Sequence, residues 1–253
     1  MPINIAVAGK GGTGKTTTTG LIIDYLRKNH KEKGPILAID ADANANLNEV
    51  LGEEVECTIG KMREKVAREM KNLSGLEKNQ YLEYNVQSAI VEAIGYDLIV
   101  MGRPEGPGCY CFVNNLLRDY IDVLAKNYAF VVMDNEAGME HISRKTTRDV
   151  DALLIISDAS RRGVQAAGRI QALAREVNIN VKQMGLIVTK APDGKLDAGI
   201  EEEIKKQDLN LLGVIPMDPQ VYAYDCAGKP TVDLPEDSLA KQEVKRIMQK
   251  IGL

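Results

Sequence analysis

Gly9-Lys10-Gly11-Gly12-Thr13-Gly14-Lys15-Thr16-Thr17 follows directly on the apolar run Ile3 to Ala8 and opens a helical pattern from Thr16 to Lys28. Strand, glycine-rich turn and helix in that order, with the spacing G-x-x-x-x-G-K-[ST], form a phosphate-binding loop. The chemistry explains the residue types. Glycines let successive backbone N–H groups turn toward phosphate oxygens, and the N-terminus of the following helix adds a favourable dipole. Lys15 is placed to reach the outer phosphates, and the Thr16 hydroxyl to ligate Mg²⁺. A glycine-rich turn without a ligand is the plain alternative, and the agreement of motif, strand and helix weighs against it.

Outward from this loop, short apolar runs alternate with longer helical patterns. The runs are Ile3 to Ala8, Ile36 to Ile39, Leu98 to Met101, Phe130 to Met133, Leu153 to Ile156, Leu186 to Val188 and Val214 to Ile215. Between them lie Thr16 to Lys28, Asn115 to Lys126, Gly163 to Glu176 and Ser238 to Ile251. Runs apolar at every position mark strands covered on both faces, so the pattern predicts a doubly wound, mostly parallel α/β sheet. A single domain spanning residues 1–253 is expected, with the more charged stretch around 53–87 forming helices outside the sheet. Aliphatics carry the core, since the 253 residues include no Trp and two Phe. With 27% charged residues and no apolar run of membrane-spanning length, a cytoplasmic protein is expected. A net charge of −4 offers no general field for nucleic acid. Four cysteines are too few for a disulfide framework and are read as free thiols.

Lys10 sharpens the reading. K-G-G-x-G-K-T-T resembles the deviant Walker A loop of the class that includes partition, septum-placement, arsenite-pump and nitrogenase iron proteins. The resemblance implies that Lys10 contacts phosphates held by a partner subunit, so that ATP sits within a homodimer and controls its assembly. Asp40 and Asp42, at the end of the second run, resemble switch I; Asp42 would position the attacking water and Asp40 would stand in the Mg²⁺ environment. The family often has Pro after the second Asp, where this chain has Ala43. Asp134, ahead of Asn135-Glu136-Ala137-Gly138, resembles the Walker B aspartate leading into switch II. Thr189-Lys190, where relatives carry Asn-Lys or Asn-Arg, and the loop holding Pro216 and Asp218 resemble the elements that meet the adenine base.

Gly106-Pro107-Gly108-Cys109-Tyr110-Cys111 places two thiols one residue apart. Two copies in a symmetric dimer would supply four thiolates, enough for Ni²⁺, Zn²⁺ or an iron–sulfur cluster. Together with Asp134-Asn135-Glu136-Ala137-Gly138-Met139-Glu140-His141, this loop resembles the CooC and AcsF type nickel-insertion ATPases, which mature carbon monoxide dehydrogenase and acetyl-CoA synthase. That resemblance implies Ni²⁺ held between paired cysteine loops and passed to an apo-enzyme client as ATP is hydrolysed, with no nucleic-acid or membrane partner. Two rivals stand beside it. One is an iron-protein-like reductase with an interfacial [4Fe-4S] cluster, although between Asp134 and Cys226 there is no second cysteine ligand. The other is a positioning ATPase that binds DNA or membrane through the basic stripe of the last helix. Cys57, Cys226 and His30 are given no function, and His141 is weighed toward packing.

Overall fold

A computed structural model describes residues 2–69, 73–103, 119–136, 149–177 and 180–253. Its strands are β1 Ile3–Gly9, β2 Ile36–Asp40, β3 Val91–Ala93, β4 Tyr96–Val100, β5 Phe130–Asp134, β6 Asp149–Asp158, β7 Asn180–Ala191 and β8 Leu211–Pro216. They form one sheet in the order β3-β4-β2-β5-β1-β6-β7-β8. All pairings are parallel except the β3–β4 hairpin. The doubly wound expectation therefore holds, and each of the seven apolar runs contributes to a strand. β3 adds an edge that periodicity does not reveal, because Val-Glu-Ala is too short to show a pattern. It turns into β4 at Gly95, whose φ of +89° suits glycine.

Among the described residues the helices include α1 Lys15–Asn29, α2 Leu47–Leu51, α3 Ile59–Glu69, α4 Gly75–Ser88, α5 Arg161–Glu176, α6 Ala198–Lys206, α7 Pro219–Cys226 and α8 Leu239–Lys250, and residues 119–125 are helical as well. Successive strand residues face opposite sides, so each strand feeds two cores. On one side Ile5, Val7, Ala38, Leu98, Val132 and Leu154 pack with α1 and α8. On the other, Leu37, Ile39, Ile99, Val131 and Met133 lie with Met62 and Val66 of α3 and Leu82 and Val86 of α4. The charged stretch around 53–87 thus lays an apolar stripe on the sheet and turns its charges outward. Beyond β1, Leu153, Ile155, Leu186 and Val188 meet Val164 and Ala167 of α5 and Ile204 of α6. His30, given no function from the sequence, packs its ring against Tyr25 and Phe130.

This topology positions the site. β1 sits between β5 and β6; the chain leaves it through α1 for β2 on one side, and β6 to β8 extend on the other. Such a reversal opens a crevice at the carboxyl ends of the strands. The segments after β1, β2, β4, β5, β7 and β8 all arrive there.

A buried ion cluster ties α1 to α8. Asp24, 3% exposed, lies 2.8 Å from Arg27, 2.9 Å from Lys28 and 3.0 Å from Lys241 of α8. Burial pushes its carboxyl upward, but the bonds from Lys28, Lys241 and Arg27 outweigh that and hold it below the usual carboxylate range. A lowered pKa contributes stability that is present above the unfolded value, near pH 4, and is lost as pH falls through the folded one. Asp24→Asn is predicted to cost about 2–3 kcal/mol in urea unfolding at pH 7 and to flatten the loss of stability of the parent protein below pH 4.

Candidate nucleotide site

The loop after β1 has the backbone that its glycines permit. A Cβ on Gly9 would meet the Ile156 carbonyl oxygen at 2.4 Å, so β6 crosses too closely for any side chain there. Gly12 and Gly14 adopt φ of +79° and +83°, and Gly14 starts α1 in the left-handed region. Inside the turn, the Lys10 carbonyl accepts from the Thr13 hydroxyl at 2.7 Å and from Lys15 Nζ at 3.5 Å. Lys15 is buried, whereas Lys10 is exposed and its ammonium makes no hydrogen bond or ion pair given by the described residues. Thr16 and Thr17 are half-buried on the first turn of α1.

Two buried carboxylates lie beside this loop. Asp40 and Asp134 stand in register at the ends of β2 and β5. Asp134 Oδ1 accepts from the Thr19 hydroxyl at 3.3 Å, the Thr16 side chain acts on the same carboxylate, and Oδ2 is buried without a partner. Burial pushes the Asp134 carboxyl up to about 7 and the charge of Asp40 adds to the rise, while Thr16, Lys15 and Thr19 oppose it. A buried carboxylate oxygen with no partner, near the hydroxyl of Thr16, is a hard-oxygen donor set that fits Mg²⁺. Thr19 was not anticipated, although Thr16 and Thr19 share one helix face at i and i+3 and so carried a signal.

Asp40 has a second task. Its Oδ1 accepts from the Asp42 N–H at 3.0 Å and its Oδ2 from the Leu47 N–H at 2.9 Å, so it shapes the 41–46 loop and starts α2. Burial raises its pKa against these backbone bonds. Asp42 lies half-buried in that loop, accepting from the Asn44 N–H at 2.8 Å. From the other side, the Thr189 hydroxyl donates to the Thr13 carbonyl at 2.6 Å and Lys190 Nζ to the Gly12 carbonyl at 2.8 Å. Pro216 ends β8. Asp218 accepts from the Gln220 N–H at 2.9 Å through Oδ1, and from the Ser238 hydroxyl at 2.7 Å and the Ala240 N–H at 3.0 Å through Oδ2. Against its burial, these bonds hold the carboxyl below its ordinary range and cap α7 and α8.

One edge thus gathers Gly9 to Thr17, Asp40, Asp42, Asp134, Thr189 and Lys190. Cys109, Cys111 and the segment 137–141, with His141, lie outside the described residues. The approach to the cysteines starts beside the Asp42 loop, where the Met101 N–H donates to the Asp40 carbonyl at 2.8 Å and Arg103 Nη2 to Asn44 Oδ1 at 2.8 Å. Cys57 is half-buried and Cys226 exposed.

The sequence matches the CobQ/CobB/MinD/ParA nucleotide binding domain over residues 5–232. The chain belongs to this family. It is 44% identical over 250 residues to an ATP-binding protein of Methanocaldococcus jannaschii, covering 98% of this chain and 97% of that one. The carbon monoxide dehydrogenase accessory protein CooC of Rhodospirillum rubrum is 33% identical over 244 residues, 92% of this chain and 90% of its own. The septum site-determining protein MinD of Pyrococcus horikoshii, solved with Mg-ADP, shares the fold with a TM-score of 0.69 at 20% identity, over 99% of this chain and 96% of that one. The protein is a P-loop ATPase of the MinD/ParA type. No described helix is long and apolar enough to cross a membrane.

Asp134 gives a pH test. A carboxyl raised from 3.8 to about 7 favours the folded protein when protonated; that contribution is complete below pH 4 and is lost as pH rises through about 7. Without Mg²⁺ and nucleotide, Asp134→Asn is predicted to be the more stable protein at pH 8, by on the order of 2–4 kcal/mol, with the advantage gone by pH 4. Thermal melts across that range check it.

Proposed function

We propose that this ATPase is a metallochaperone that carries Ni²⁺ to carbon monoxide dehydrogenase or acetyl-CoA synthase. One observation carries the reading. The chain pairs 33% identity to a carbon monoxide dehydrogenase accessory protein, across nearly its whole length, with two thiols one residue apart at Cys109 and Cys111. Ni²⁺ is the cargo. Two copies of the cysteine pair bring four thiolates to one ion, a soft donor set that a single chain does not supply.

The nucleotide edge supplies the drive. Lys15 and the N–H groups of residues 11–16 hold the phosphates, and Lys10, exposed and unengaged, reaches phosphates bound to the partner copy. Thr16 and the unpartnered Oδ2 of Asp134 would hold Mg²⁺, which neutralises charge on the phosphates when bound. Asp42 orients the attacking water. Its loop is bonded to the strand end from which the chain runs toward the cysteines, through Asp40 with Met101 and Asn44 with Arg103. Nucleotide state thereby has a short covalent and hydrogen-bonded path toward the metal loop.

Anaerobic equilibrium dialysis against Ni²⁺ tests the cargo. One ion per two chains is expected, and Cys109→Ser with Cys111→Ser should abolish that binding while leaving ATP affinity in place. Full nickel affinity in the double variant, or no nickel binding by the parent protein, would sink the proposal. For the chemistry, Asp42→Ala should slow ATP hydrolysis by about 10²-fold with nucleotide affinity changed less than threefold. Unchanged turnover would remove Asp42 from its role.

A further inference from the structure

The end of β7 reaches the phosphate loop through two adjacent side chains, and both contacts fall on backbone carbonyls. β7 pairs with β6 as far as Thr189, opposite Asp158, while its register against β8 shifts between Val188 and Ala191. A bulge of this kind re-aims side chains. Lys190 takes φ of 55° within it, a left-handed conformation that a lysine seldom adopts. The result is that Thr189 and Lys190, which would alternate faces in a regular strand, both address the turn between Gly12 and Gly14. The Thr189 hydroxyl donates to Thr13 O at 2.6 Å and lies 3.2 Å from Ser157 O of β6; Lys190 Nζ donates to Gly12 O at 2.8 Å. Thr189 is 4% exposed, and a Cβ added to Gly14 would rest 3.7 Å from its hydroxyl.

From this geometry we infer that Thr189 and Lys190 are positioning residues for phosphate binding, acting through the loop backbone and not through the base. In a trans peptide the C=O and the following N–H point in opposite directions. Holding the Thr13 carbonyl against Thr189 therefore turns the Gly14 N–H away from β7. Holding the Gly12 carbonyl against Lys190 likewise turns the Thr13 N–H across the loop, where it closes the turn onto Lys10 O at 3.4 Å. With the turn fixed in this way, the Gly14 N–H is left as a donor that a phosphate needs on the concave side. Gly12 and Gly14, free to adopt either sign of φ, make the turn possible but leave the two peptide planes underdetermined. The pair on β7 supplies the missing constraint, and the lysine adds a positive charge at the loop mouth. The inference rests on this edge being the nucleotide site, and it assigns Thr189 a task that its side chain, closed off from any base, performs in place.

Calorimetric binding of ATP, GTP and inorganic tripolyphosphate to the full chain, in the parent and in Thr189→Val, Thr189→Ser and Lys190→Met, separates the two roles. Tripolyphosphate has no base. Positioning predicts that Thr189→Val and Lys190→Met weaken all three ligands by the same factor, about 3- to 10-fold, that the ATP-to-GTP ratio stays unchanged, and that Thr189→Ser restores parental affinity. Unchanged tripolyphosphate affinity with a shifted ATP-to-GTP ratio would overturn the inference and make the pair a base reader. A parent protein that binds neither ATP nor tripolyphosphate would instead overturn the nucleotide site itself. Circular dichroism of each variant, together with the Thr189→Ser result, distinguishes lost fold from lost positioning.

Discussion

Parallel pairing around β1 is the constraint on which the rest depends. Because β5 and β6 run alongside β1 in the same direction, their carboxyl ends finish together, and so do those of β2, β4, β7 and β8. No residue of the site needs to find another through a long loop. Asp40 meets Asp134 because their strands are in register, Gly9 meets Ile156 because theirs are, and Thr189 reaches Thr13 because β7 follows β6 outward by one strand. Aliphatic residues apolar on both faces make that arrangement stable, since a parallel sheet persists only when helices cover both sides.

The same burial that stabilises the sheet sets the electrostatics of its edge. Asp134 is closed off from water, carries one oxygen without a donor and titrates near neutrality. In a protein of marginal stability such a group is tolerated where a ligand completes it. Asp40, equally buried, is satisfied by backbone N–H groups and holds the neighbouring loop. Two carboxylates of one type on adjacent strands thus divide into an organiser and an acceptor, and the division follows from what each finds within hydrogen-bond reach.

How much of this could be read from residues alone depended on range. The phosphate loop was legible because its chemistry is confined to nine consecutive residues, and the seven main strands because each is a continuous apolar run. The dense charges of residues 53–87 hid an apolar stripe, since Met62, Val66, Leu82 and Val86 are separated by turns of helix and by a break between two helices. Asp218 could be located but not understood. Two of its three bonds go to Ser238 and Ala240, twenty and twenty-two residues onward, and nothing local announces that a strand-end aspartate will cap two helices. The use of Thr189 and Lys190 was hidden for a similar reason, because a bulge depends on register with a neighbouring strand. Cys109 and Cys111 are legible as a pair, and the metal chemistry proposed for them needs two copies of it.

That last point puts assembly at the centre of the proposal, in which ATP shared through Lys10 between two copies of the chain would bring the paired cysteines together. Sedimentation velocity with Mg²⁺ and a non-hydrolysable ATP analogue addresses it directly, with the parent protein compared to Lys10→Ala at the same concentrations. With Lys10 bridging the two copies, the analogue is expected to drive the parent into a dimer, and Lys10→Ala to bind the analogue yet stay monomeric. A parent protein whose mass does not respond to the analogue, or a Lys10→Ala variant that dimerises as readily as the parent, would contradict it.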